Sequence, residues 1–66
     1  MAELLEIIDF AISEEVEDLN QMEEDLNKYR LEHPFARKIT SLEKRIESQK
    51  SIIKGMRIVR NIVLNS

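Results

Sequence analysis

The chain has 66 residues, 42% hydrophobic and 35% charged, with a net charge of −3, one glycine, one proline and no cysteine. A single domain of this size buries only about 60% of the surface its unfolded chain exposes, and such chains usually need a disulfide, a metal or a second subunit. The lack of cysteine excludes disulfides and thiolate metal sites, so the expected stabiliser is association, with a copy of itself or with another protein.

At the start of the chain, Met1-Ala2-Glu3 places acid where a secretory leader would carry base. The expected location is therefore the cytoplasm. The residues that follow, up to the sole proline, favour helix and read with a seven-residue repeat. Leu5, Ile12, Leu19, Leu26 and His33 fall at position a, and Ile8, Glu15, Met22 and Tyr29 at position d. This predicts helix 1 at about residues 2–31.

His33-Pro34 is the only strong punctuation before Gly55. The residue before a proline avoids helical dihedrals, while proline itself suits a first helical turn. A turn is predicted at 32–34 and helix 2 at about 34–64. Helix 2 repeats the pattern, with Ile39, Ile46, Ile53 and Arg60 at a, and Phe35, Leu42, Gln49, Met56 and Val63 at d. Folding the chain back at Pro34 makes opposing positions sum to 68, so Tyr29 meets Ile39, Leu26 meets Leu42 and Ile12 meets Met56. No segment shows the two-residue alternation of a half-buried strand. The predicted fold is all-α: one domain, residues 1–66, forming an antiparallel, coiled-coil-like two-helix hairpin that completes a bundle by dimerisation or partner binding.

Charge follows the same division. Residues 1–33 hold eleven Asp and Glu against Lys28 and Arg30, a net of −9, whereas residues 34–66 hold eight Lys and Arg against Glu43 and Glu47, a net of +6. Across the seam, Asp25 and Glu32 are expected beside Arg45 and Lys38. Pairs of this exposed kind contribute about 0–1 kcal/mol each and select orientation more than they stabilise. Glu23 opposite Glu43 runs against the pattern. Within the seam, Glu15 is expected opposite Ile53, Gln49 opposite Leu19 and Arg60 opposite Ile8. Such polar seam residues either fix register or reach past their neighbours to water, as is expected of Arg60.

The open end of the hairpin carries more apolar surface than two helices can use. Leu4, Ile7 and Ala11 form a second stripe beside the helix 1 seam, and Ile52, Gly55, Val59 and Ile62 form its match on helix 2. Towards the turn both stripes become charged. Leaving such a patch in water forgoes roughly 25 cal/mol per Å², and patches of this kind mark protein interfaces. Phe10, Leu31 and Ile58 project from the outer faces; Phe10, near the open end, joins the candidate partner-binding residues. Gly55 costs about 1 kcal/mol relative to alanine inside a helix, yet admits a close neighbour.

Several chemistries lack their residues. Glu14, Glu15, Glu17 and Asp18 read as a solvated helix face rather than a general acid–base pair, because two helices cannot desolvate a pocket. A di-iron bundle needs inward Glu-x-x-His pairs, and the lone histidine, His33, reads as a turn residue. Neither a phosphate loop nor a nucleophilic triad is present. The chain is expected to be non-enzymatic, with no metal and no cofactor. The apolar run from Ile52 to Leu64 is broken by Lys54, Arg57 and Arg60, too short and too charged to span a bilayer.

The alternative reading is a nucleic-acid-binding hairpin dimer, using Arg37, Lys38, Lys44, Arg45 and Lys54 on phosphates. The acidic first helix, about 10 Å away and within roughly one Debye length, is the simpler partner for those charges.

In overall length, in its two helices around a short turn, and in the run Ile46-Glu47-Ser48 followed by Ile52-Ile53, the chain resembles the helical-hairpin co-chaperones of type III secretion needle subunits. It departs from them at the turn, where Phe35 directly follows Pro34 instead of a longer turn with a tyrosine soon after it. The resemblance implies a stable pair with a larger helical-repeat chaperone, the two jointly masking the needle subunit before export, with the apolar open end as the contact.

Overall fold

A computed structural model describes residues 2–66. It is all-helical, with α1 at Ala2–Glu32 and α2 at Lys38–Asn65 packed against each other as a hairpin. The Cα extents are 48 × 14 × 10 Å, those of two rods side by side. In α1, Glu3 in the first turn and Arg30 in the last sit at the favourable ends of the helix dipole.

Helix 2 starts four residues later than the proline rule alone implies, and the turn occupies residues 33–37 rather than 32–34. The reason is one of reach. Packed helix axes lie about 8–10 Å apart, and an extended residue covers at most about 3.6 Å, so a chain restarting its helix at Pro34 could not cross the gap. The His33 amide donates to the Tyr29 carbonyl (2.8 Å), closing α1, and the Ala36 amide donates to the His33 carbonyl (3.2 Å). Tight three-residue steps, Ile39 to Ala36 and Thr40 to Arg37 (both 3.2 Å), then start α2. No side chain caps that end and its first turn holds no acid.

The late restart removes Phe35 from the seam. Expected at position d, it lies at the tip of the turn and is 97% exposed. His33 is exposed as well, tilted against the Tyr29 ring with centroids 4.9 Å apart. Lys38, now the first residue of α2, lies over the other partner in that cluster, 5.4 Å from the Tyr29 centroid.

Between those ends the seam follows the heptads. Every a and d residue from Leu5 to Tyr29 and from Ile39 to Val63 is buried or half-buried. The deepest are Leu26, Ile46, Gln49 and Ile53. A two-helix seam is a line and not a volume. Among the described residues three hydrophobic side chains are buried while ten large ones stay exposed, so much apolar surface is left over by the chain's own fold.

Candidate partner-docking groove

The two flanks of the seam differ in kind. On one, two ion pairs cross the helices: Arg30 of α1 meets Glu43 of α2 at 2.7 Å, and Asp9 of α1 meets Arg60 of α2. The Arg30 pair accounts for Glu43, whose sequence-expected neighbour was a like charge. Arg60 sits half-buried at a seam position and extends its guanidinium outward to Asp9. Its hydrogen bond to Asp9, and then the charge of Asp9, hold its proton more tightly than usual, against a smaller opposing effect of desolvation. Two shallow grooves on this flank are lined by charge, including Glu23, Arg30, Glu43 and Lys50 in one and Asp9, Arg57 and Arg60 in the other, while a third sets Val16, Leu19, Ile53 and Ile58 among Lys50, Lys54 and Arg57.

On the other flank no ion pair crosses the helices among the described residues. The expected pairs of Asp25 with Arg45 and Glu32 with Lys38 do not form. Asp25 instead accepts a hydrogen bond from Gln21 (2.9 Å), Glu32 lies 4.0 Å from the neighbouring His33, and Lys38 turns to Tyr29. Arg45 makes no ion pair. At the open end this flank becomes an apolar groove of about 500 Å³, lined by Ile7, Ile8, Ala11, Ile52, Gly55, Met56 and Val59. The fold thus brings Ile7, Ala11, Ile52, Gly55 and Val59 into one depression and adds the seam residues Ile8 and Met56. Leu4, Phe10 and Ile62 are exposed outside its lining.

Gly55 is informative because the fold itself does not require it. Its φ is not positive, and a Cβ built there meets nothing within 4 Å. The helix therefore carries the cost of a mid-helix glycine, about 0.8–1.0 kcal/mol relative to alanine, with no gain inside the chain.

The basic residues of the alternative reading do not share a face. Arg37, Lys38, Lys44, Arg45 and Lys54 are all exposed, but Lys38 is drawn to Tyr29, and Lys54 lines a groove with Val16, Leu19 and Arg57 on the opposite flank. Among the described residues no group of acidic, histidine or cysteine side chains could hold a metal ion, and no helix is long and apolar enough to cross a membrane.

One contact was not readable from the sequence. Gln49 of α2, 7% exposed, reaches Glu15 of α1 and not the Leu19 expected opposite it. Both residues stand at position d, and the heptad pattern does not say which polar neighbours within one turn of each other will bond.

Comparison with known protein families, with curated proteins and with solved structures gives no match for this chain.

Proposed function

We propose that the chain is a non-enzymatic protein-interaction module, an adaptor or chaperone-like protein, that receives a partner helix in the open-end groove. The observation that carries this reading is the contrast between the flanks. One is crossed by two ion pairs, while the other is crossed by none and presents Ile7 at 65% exposure and Ile52 and Val59 at 51% around a glycine with open space where a Cβ would stand. Apolar contact gives the affinity, and the glycine lets a second backbone come close. A helix in a groove is an established mode of peptide recognition. A needle-subunit co-chaperone would offer such a surface to a helical-repeat chaperone, and within the general reading that is the specific role the hairpin layout supports.

A photo-crosslinking amino acid placed at Val59 tests this in cells. It should capture a protein that the same group at Lys50, on the ion-paired flank, does not. Equal capture from both positions would contradict the assignment.

A further inference from the structure

We propose that the occupant of the groove is a second copy of this chain, related by a two-fold axis parallel to the long axis of the hairpin. In this dimer the acidic α1 of each copy lies on the basic α2 of the other, and both turns sit at the same end. The inference rests on the docking reading above and specifies its partner.

Charge complementarity selects this arrangement. Along the unpaired flank, the turn half of α1 presents Asp18, Asp25 and Glu32 with one base, Lys28, among them, and the turn half of α2 presents Lys38 and Arg45 separated by Ser41. Rotation about the long axis sets Asp25 over Arg45 and Glu32 over Lys38 in the turn half, and apolar over apolar at the open end. Rotation about a perpendicular axis sets α1 on α1, acid against acid, and brings the apolar groove over the charged half. In the first arrangement every neighbouring helix pair is antiparallel, as in an up-down bundle. Ala11 of one copy then comes beside Gly55 of the other, two small residues where the backbones approach most closely.

Area agrees. The flank is 48 Å long and about 20 Å wide once two helices of about 10–12 Å diameter are counted, roughly 900–1,000 Å². A stable interface takes about 800 Å² per partner. The apolar open end alone, about a third of that length, falls well short, so the charged half must be covered too.

Two measurements on the full chain decide the matter. The absence of cysteine allows a single spin label through Phe35→Cys at the exposed turn. In the proposed dimer the two labels lie within about 25 Å, because the turns are side by side on helices about 10 Å apart. In a dimer with turns at opposite ends they lie at least the 48 Å hairpin length apart, and that result overturns the proposal. Separately, the Asp25→Arg chain and the Arg45→Glu chain should each dimerise about tenfold or more weakly alone, with helicity retained since both sites are exposed. Mixed together they should recover, because the heterodimer restores both contacts between chains while leaving each chain's own pair mismatched. No recovery on mixing overturns the proposal. So does a concentration-independent monomer; if Val59 then still captures a different protein, the docking reading survives and the second copy does not.

Discussion

Gln49 donates from its amide nitrogen to two acceptors on Glu15, the backbone carbonyl at 2.9 Å and the carboxylate at 2.5 Å. The pair sits in the middle of the hairpin, and every buried side-chain polar atom among the described residues is satisfied. A helix–helix seam made only of aliphatic residues can slide by a heptad at little cost. A buried amide that finds its acceptor in one register alone penalises the slide.

Removing this contact should therefore be costly. Gln49→Ala is expected to destabilise the hairpin by about 1–3 kcal/mol, the cost of leaving a partly buried acceptor without its donor. Replacing both partners by leucine should raise stability and lose register, since apolar substitution of a buried polar pair is often stabilising. Denaturant unfolding at fixed concentration measures the first effect; the spread of spin-label distances across the two helices measures the second.

Gly55→Ala should separate folding from docking. In chains diluted to the monomer, alanine is expected to raise helix stability by about 0.5–1 kcal/mol, because its Cβ meets nothing within 4 Å. Association should weaken in the same variant, and more so in Gly55→Leu. Circular dichroism reads the first change and sedimentation the second. A gain in both would mean that no backbone approaches there.

The turn offers a check on the corrected seam. Phe35→Ser should change stability by no more than about 0.5 kcal/mol, whereas Ile53→Ala, at a residue 4% exposed, should cost about 2–5 kcal/mol. Thermal unfolding of the two variants distinguishes them directly.

The Asp9–Arg60 pair should matter less than the buried clasp. It is partly exposed, and salt screens such pairs. Asp9→Asn is expected to lower the unfolding midpoint less than Gln49→Ala, with the difference from wild type vanishing in about 1 M salt. Because the guanidinium pKa is raised in the folded chain, its contribution is complete below the ordinary arginine range and is lost only as pH climbs beyond it. No pH dependence from Arg60 is expected near neutrality.

The hairpin was legible because its cause is local and periodic: seam spacing on both sides of one proline leaves few other folds. The composition of the groove was legible for the same reason, since the residues flanking a and d are fixed once the seam is known. The turn was not, because proline signals a break without specifying how many residues must bridge the helices, and Phe35 was misplaced with it. The flank that binds charge across the seam was also hidden. Arg30, Glu43, Asp9 and Arg60 stand at sites where pairing depends on rotamers and on the exact offset of the helices, as does the choice of Glu15 over Leu19 by Gln49.

The central claim, that the open-end flank is a contact surface, is tested most directly at three aliphatic residues of equal exposure. Ile52 and Val59 border the groove and Ile58 lies away from it, lining the groove on the opposite flank, and all three are 51% exposed in the single chain. Methyl relaxation by a soluble paramagnetic probe, measured in the associated protein, should show Ile52 and Val59 shielded and Ile58 as accessible as before. Equal accessibility at all three positions would contradict the account.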